Sequence, residues 1–288
     1  MNVKIFAGVM LGISLVVAVV VALTHRPGLA PATPAGIARP TAPPSTWPDY
    51  RGDGFGFATP AMPDGELVAQ GHNLVMRTYA FIGPEVAYAD RRYAGNNLAC
   101  QNCHLDAGTN RSALPLVGIV RTYPKFSDRS GKTISLIERI NECMTRSLNG
   151  RALPKSSREM QAFLAYLRFI GEPKAEPVSD APVAPSPPDA ARGVAVFQQN
   201  CASCHQADGL GARWGTAGDG RGYRFPPLWG PDSYNDGAGM DRFDRAVRFI
   251  RRNMPRGVDP AHLSLSLQES WDVAALIQSK PRPRYQAR

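Results

Sequence analysis

The sequence contains two copies of one short motif, CQNCH at residues 100–104 and CASCH at residues 201–205. In such a motif the two cysteines can form thioether bonds to the vinyl groups of one haem, and the following histidine can bind its iron. A thioredoxin-like redox pair has no need of the histidine, and a zinc site would need matching ligands at finger-like spacing, which the sequence lacks. Two motifs therefore predict two covalently bound haem c groups. The attachment residues are Cys100, Cys103, Cys201 and Cys204, and the iron ligands include His104 and His205.

The composition fits one or two packed domains. The chain has 288 residues, of which 43% are hydrophobic and 20% are charged, so disorder throughout is excluded. The formal net charge is +9. Because the basic residues are not interleaved with aromatics and no recognition helix is evident, the charge does not indicate nucleic-acid binding.

Proline-rich stretches divide the chain. Residues 27–48 and 172–188 combine many prolines with small residues, a composition typical of an extended tether and a linker. The first stretch precedes a haem 1 domain at 49–171, and the second separates this domain from a haem 2 domain at 189–288. Helical spacing is present in both domains and no strand pattern of useful length is evident, so the predicted class is mainly α. The predicted helices are Glu66–Arg77, Thr133–Leu148, Met160–Ile170, Ala190–Asn200, Phe243–Arg252 and Leu267–Gln278.

The amino-terminal segment, residues 1–26, contains an uncharged apolar run at 5–23. A helix of this length would be about 28 Å long, close to the apolar thickness of a bilayer. No convincing signal-peptide cleavage site follows it, which favours an uncleaved membrane anchor over a removed signal peptide. In both cases the domains are expected on the periplasmic side of the bacterial inner membrane, either anchored or soluble.

A candidate second ligand for the haem 2 iron lies in the carboxyl half of the chain. Asn253-Met254-Pro255 follows an amphipathic stretch and resembles the methionine loop of class I cytochromes c. A thioether ligand raises the haem potential, which suits electron transfer. Met240 and His262 are weaker alternatives, because Met240 lies in a glycine-rich loop and His262 has the pattern of a surface residue.

The fifth cysteine, Cys143, lies on a predicted helix that begins with a capping box from Ser135 to Glu138. Arg139 and Arg146 are one helical turn away on either side, and nearby cations favour a thiolate. Residues 121–158 hold nine basic and three acidic residues. Around a free cysteine, this positive charge suggests a site that attracts a small anion. In the plainer interpretation, Cys143 is a buried apolar residue and the basic residues form a solvated surface.

A resemblance narrows these alternatives. The stretch NECMTRSLNGRALP at 141–154, with PPLWG at 226–230, SYN at 233–235 and GAGM at 237–240, resembles the thiosulfate dehydrogenase family of dihaem cytochromes. The similarity extends over roughly residues 66–277. It implies two class I-like cytochrome c domains and the reversible oxidation of two thiosulfates to tetrathionate.

The resemblance also implies roles for individual residues. The axial ligands of the active-site haem correspond to His104 and Cys143, and those of the second haem to His205 and Met254. Some members have lysine immediately before this methionine, and here the position is Asn253. The basic and hydroxyl residues of the family's active site correspond to Arg129 and Ser147.

Residue chemistry agrees with this assignment. We hypothesise that Cys143 binds iron and, when displaced, carries the sulfur substrate, because sulfur–sulfur exchange proceeds through thiolate attack. Candidate anion-binding residues are Arg129, Arg139 and Arg146, with Ser147 as a hydrogen-bond donor. Electrons would pass to the second haem and then to an external c-type cytochrome or another redox partner. The alternatives are a membrane-tethered dihaem electron carrier, a dihaem peroxidase and a sulfur-oxidation haem subunit that acts on a carrier protein.

Overall fold

The computed structural model describes residues 57–171, 184–259 and 262–286. The apolar run at 5–23 and the tether at 27–48 lie outside these residues, as does most of the predicted linker. Within the described ranges, no helix combines the length and apolar character needed to cross a membrane.

The described part of the chain is mainly helical, as predicted, with long loops between the helices. The first domain contains α1 (Gly65–Met76), α2 (Thr78–Ile82), α3 (Leu136–Glu142) and α4 (Arg158–Phe169). The second domain contains α5 (Ala190–Asn200), α6 (Ala202–His205), α7 (Phe243–Asn253) and α8 (Leu267–Ser279).

In each domain a glycine allows the first and last long helices to pack closely. A methyl group on Gly71 of α1 would lie 2.1 Å from the carbonyl oxygen of Ala162 in α4. A methyl group on Gly193 of α5 would lie 2.2 Å from the carbonyl oxygen of Asp272 in α8. The two domains therefore have the same helix crossing, with backbone against backbone.

Side-chain caps account for where two of the predicted helices begin. The Asp189 carboxylate accepts a 2.7 Å hydrogen bond from the Ala191 amide, so α5 begins at Ala190 as predicted. The predicted capping box is also present, since Ser135 Oγ accepts from the Glu138 amide at 3.2 Å and Glu138 Oε2 accepts from the Ser135 amide at 2.7 Å.

Two short antiparallel hairpins were not predicted. Strands β1 (Lys125–Ser127) and β2 (Lys132–Ile134) pair in the first domain, and β3 (Ala212–Arg213) and β4 (Tyr223–Phe225) pair in the second. Because residues 132–134 belong to β2, the prediction that the next helix begins at Thr133 is wrong, and α3 begins at Leu136.

The two domains contact each other through apolar and polar groups. Leu105 and Ala113 of the first domain pack with Phe249 of the second in a small buried cluster. Each domain also has its own core. The first is built around Met144, Met160 and Tyr166, and the second around Phe197, Val247 and Ala274.

A polar network joins the domains beside this apolar contact. Arg213 Nη1 lies 2.9 Å from Glu85 Oε1, and Arg213 Nη2 lies 3.2 Å from Asp232 Oδ2. The Asn97 amide group donates to both carboxylates, at 3.0 Å to Glu85 and 3.1 Å to Asp232. One guanidinium from the second domain therefore connects carboxylates from both domains.

Candidate active site

An apolar cleft in the first domain brings the CQNCH motif and Cys143 together. Its space, the open mouth included, is about 760 Å³. The wall includes Cys100, Cys103, His104 and Cys143, with Val75, Leu98, Leu116, Ile140, Met144, Leu148, Phe163 and Leu167 among its apolar members.

The environment of His104 suits an iron ligand. Its Nδ1 donates a 2.5 Å hydrogen bond to the Leu114 carbonyl oxygen, which leaves Nε2 as the nitrogen able to bind metal. Burial lowers the pKa of His104 to about 4, so the ring is neutral at pH 7. Neutral imidazole is the form that coordinates metal.

His205 repeats this arrangement in the second domain. Its Nδ1 donates to the Pro226 carbonyl oxygen at 2.8 Å, and burial lowers its pKa below the ordinary value. Met254 follows the end of α7 and, like Cys201, packs against the apolar core of this domain.

The other sequence candidates for a ligand of the second haem lie elsewhere. Met240 is part of the wall of the first-domain cleft. The side chain of His262 is 84% exposed and bonds to Asp259 at 2.8 Å, as expected of a surface residue. Asn253, which precedes Met254, is buried and donates to the Ser112 carbonyl oxygen of the first domain at 3.0 Å.

Cys143 lies where the helix changes its winding. Helix α3 ends at Glu142, and Cys143–Ser147 forms a π-helical turn, in which the Leu148 amide donates to the Cys143 carbonyl oxygen at 3.0 Å. Such turns often occur at functional sites. Met144 and Leu148 are buried in the core of the domain, and all four residues Cys143, Met144, Ser147 and Leu148 line the cleft.

Arginines stand beside Cys143. The negative charge of its thiolate is the largest of the influences that raise the pKa of Arg139, whose Nη1 also lies 3.2 Å from Glu142 Oε2. Arg129 is in the turn between β1 and β2. Burial, followed by the nearby Arg146 and Arg139, lowers the pKa of Arg129. Mutual repulsion of this kind indicates a surplus of positive charge, which an anion would offset.

Arg146 is also close to this group, but the second domain holds its guanidinium. The group lies 4.1 Å from the ring centre of Tyr285, and its Nη1 donates to the Gly237 carbonyl oxygen at 3.5 Å. Arg146 therefore makes a contact between the domains, while Arg129 and Arg139 interact electrostatically with Cys143.

Family models match both halves of the chain. Residues 88–172 match the model described as SoxA/TsdA, cytochrome c domain, and residues 190–280 match the model for cytochrome c.

Individual proteins are also similar to this chain in sequence. The thiosulfate dehydrogenase of Allochromatium vinosum is 42% identical over 204 residues, which cover 67% of this chain and 73% of that protein. The thiosulfate dehydrogenase of Thiomonas intermedia is 37% identical over 81% of this chain and 73% of its own length. The chain belongs to the thiosulfate dehydrogenase family.

A solved structure is similar in fold. The thiosulfate dehydrogenase TsdBA from Marichromatium purpuratum, in its as-isolated form, matches with a TM-score of 0.68 and 32% identity. The match covers 78% of this chain and 48% of that one, so this chain corresponds to about half of the longer protein.

Membership of the thiosulfate dehydrogenase family makes the chain an oxidoreductase with two cytochrome c domains and two covalently bound haem c groups. The first-domain cleft fits such a group, because its wall is apolar, two cysteine thiols border it and a neutral imidazole faces it. In the second domain, Cys201, Cys204 and His205 supply the same donor set.

The second domain adds residues to the site that sequence reasoning did not assign. Tyr234 and Met240 line the cleft of the first domain, and the charge of Arg245 acts on Cys103 and His104. Tyr234 and Met240 do lie in segments of the family resemblance. Arg245 lies in an amphipathic helix, where nothing in its pattern separates it from an ordinary surface cation.

Proposed function

We propose that the protein oxidises two thiosulfate anions to one tetrathionate at the Cys143 cleft, in a reversible reaction. The proposal rests on the meeting of Cys143 with the haem-binding residues of the first domain in one apolar space, where Arg129 and Arg139 interact electrostatically with Cys143. A protein that only carried electrons would need neither Cys143 in this space nor the arginines beside it.

Eight side chains would hold the two haem groups. Cys100, Cys103, His104 and Cys143 would hold the first, and Cys201, Cys204, His205 and Met254 the second. When bound, the two haem c groups supply two one-electron acceptors, and the methionine ligand gives the second the higher potential. This capacity equals the two electrons that two thiosulfates release when they form one tetrathionate.

The arginines bring the substrates together. Two charges of −2 held 5 Å apart repel each other by about 3 kcal/mol in water, and by several times more in a protein environment. Arg129, Arg139 and Arg245 would offset this repulsion from both domains, since burial and neighbouring cations hold the pKa of Arg129 and of Arg245 below the ordinary value. Arginines held this close to one another favour the binding of an anion between them.

Cys143 would carry the first substrate. Its thiolate joins the outer sulfur of one thiosulfate to give Cys143–S–S–SO₃⁻, with the loss of two electrons. The outer sulfur of a second thiosulfate then attacks the sulfur attached to the sulfonate, so that tetrathionate leaves and the thiolate is restored. Ser147 lines the same space and would donate a hydrogen bond to a sulfonate oxygen. The electrons leave for an external c-type cytochrome or another redox partner.

We also propose that this chemistry takes place on the periplasmic side of the bacterial inner membrane. The basis is the apolar run at 5–23, which would act as an anchor or as a removed signal peptide. Amino-terminal sequencing of the protein from membrane and soluble fractions tests this. An intact start in the membrane fraction means an anchor, a start beyond residue 23 in the soluble fraction means a signal, and an intact start in the cytosol contradicts the proposal.

The test of the activity is the Cys143→Ala variant of the haem-loaded protein. Thiosulfate-dependent reduction of an artificial acceptor should fall at least 100-fold, and so should tetrathionate reduction with an artificial donor. Thr145→Ser is the matched control, because it lies two residues further along the same turn and is absent from the cleft wall. Normal turnover in Cys143→Ala would refute the proposal and leave an electron carrier as the function.

A further inference from the structure

The turn that carries Cys143 ends with backbone carbonyl groups that the helix itself does not satisfy. In a continued helix the amides of Asn149 and Gly150 would reach the Thr145 carbonyl oxygen. They bond instead to the carbonyl oxygens of Arg146, at 3.2 Å, and Met144, at 2.9 Å. The end of this turn must therefore find donors elsewhere.

A residue of the second domain supplies them. Asn235 Nδ2 donates to the Thr145 carbonyl oxygen at 2.9 Å and to Asn149 Oδ1 at 3.1 Å. Its backbone amide donates to the Arg146 carbonyl oxygen at 3.3 Å. Asn235 is 1% exposed, and its Oδ1 accepts from the Gly237 amide at 3.1 Å. All the hydrogen-bonding groups of this amide side chain have partners, which fixes its orientation.

Asn96 of the first domain completes the contact. Its Nδ2 donates to the Ser147 carbonyl oxygen at 3.0 Å and to the Ser233 carbonyl oxygen of the second domain at 3.1 Å. It too is fully buried. The last turn before the chain leaves the cleft is therefore held between two buried asparagines, one from each domain.

We propose that Asn235 is a positioning residue that sets where Cys143 lies in the cleft, so that the second domain controls the approach of the sulfur atom. This inference rests on the proposed role of Cys143. A reacting atom displaced by about 1 Å can lower a rate by 100-fold, so hydrogen bonds that locate the turn matter for turnover as well as for folding.

The sharpest test is Asn235→Asp in the haem-loaded protein. Aspartate has nearly the same shape and keeps the acceptor for Gly237, but it cannot donate to Thr145 or Asn149. We expect at least a tenfold loss of thiosulfate turnover, mainly in kcat. We also expect a partial loss of the thiolate-ligated ferric signal in electron paramagnetic resonance spectra, with the signal of the second haem unchanged.

Two further variants make the result decisive. Asn149→Gly removes one acceptor of the same amide and tolerates the positive φ of 48° at this position, so it should shift the spectrum in the same direction by less. If the aspartate variant does not fold, Asn149→Gly decides the question. Glu85→Gln weakens the domain contact away from Cys143 and should leave the thiolate signal intact.

Three outcomes separate the possible errors. Wild-type spectra and turnover in both asparagine variants would overturn the positioning role. An equal loss in Glu85→Gln would also overturn it, because the effect would then be a general loosening of the domain contact. A wild-type protein without a thiolate signal would instead refute the proposed role of Cys143.

Discussion

Arg245, on helix α7 of the second domain, lies within electrostatic range of Arg139, which lies beside Cys143 in the first. Burial and the positive charges of Arg242 and Arg139 lower the pKa of Arg245. Its guanidinium packs against Gly239, where an added methyl group would lie 2.5 Å from its Nη1. Both domains therefore contribute positive charge near Cys143.

We predict that Arg245→Gln raises the KM for thiosulfate about tenfold, because a charged hydrogen-bond donor contributes roughly 1.5 to 3 kcal/mol. Steady-state kinetics at low and high salt measure this, and the difference from wild type should shrink as salt rises. Lys155→Ala is the control, since it removes an exposed cation from the basic segment 121–158. Equal KM values for Arg245→Gln and wild type would exclude Arg245 from substrate binding.

The connection between domains through Arg213 should be costly to break. Arg213→Met would leave Glu85 and Asp232, whose side chains are only 14% and 24% exposed, without their cation. We expect the free energy of unfolding to fall by roughly 2 to 3 kcal/mol. Lys132→Met breaks the exposed pair with Glu138 and should cost less than about 1 kcal/mol. Denaturant titrations compare them, and similar losses in both variants would contradict the prediction.

His72 should make stability depend on pH. It is 2% exposed between Phe57 and Tyr166, and burial, helped by the charge of Arg77, lowers its pKa to about 4 from 6.5. The unfolded chain therefore takes up the proton first as the pH falls. Stability should decline between pH 6.5 and pH 4, by up to about 3 kcal/mol, with no further loss from this group below pH 4.

His72→Phe should remove this part of the pH dependence, because a neutral ring of similar shape fills the site. His262→Gln is the control, since that side chain is 84% exposed. Urea titrations at several pH values give the comparison. The same slope in His72→Phe and wild type would mean that other groups produce it.

The helix crossing in the second domain should not tolerate a methyl group. In Gly193→Ala the new atom would lie 2.2 Å from the Asp272 carbonyl oxygen, so α5 and α8 must separate. We expect a loss of roughly 2 to 3 kcal/mol in unfolding free energy, as overpacked cores show. Val194→Ala, at a neighbouring exposed position, should change it by less than about 0.5 kcal/mol. Thermal unfolding of the two variants tests the difference, and equal stabilities would show that the crossing is not tight.

The features that could be predicted from the sequence are those formed by residues close together in the chain. Asp189 and the Ser135–Glu138 box act within one helical turn, so the start of α5 and the capping box of α3 were predictable. The haem-attachment motifs are equally local. The start predicted at Thr133 was wrong because this residue pairs with Phe126 in a hairpin that depends on partners across a turn.

Features that depend on domain packing could not be read from periodicity. Asn235 and Thr145 are separated by 90 positions, and the contact exists only because the two domains meet. The same holds for Arg245 and the wall residues Tyr234 and Met240. Spacing could place Cys143 on a helix beside arginines, but its link to the first haem came from the family resemblance.

We propose that the Cys143 sulfur is a ligand of the first haem iron. Electron paramagnetic resonance of the oxidised, haem-loaded protein tests it most directly, with Cys143→Ala measured beside it. We expect a low-spin signal typical of histidine and thiolate ligation that disappears in Cys143→Ala while the signal of the second haem persists. A wild-type spectrum with only methionine or imidazole ligation, unchanged in the variant, would contradict it.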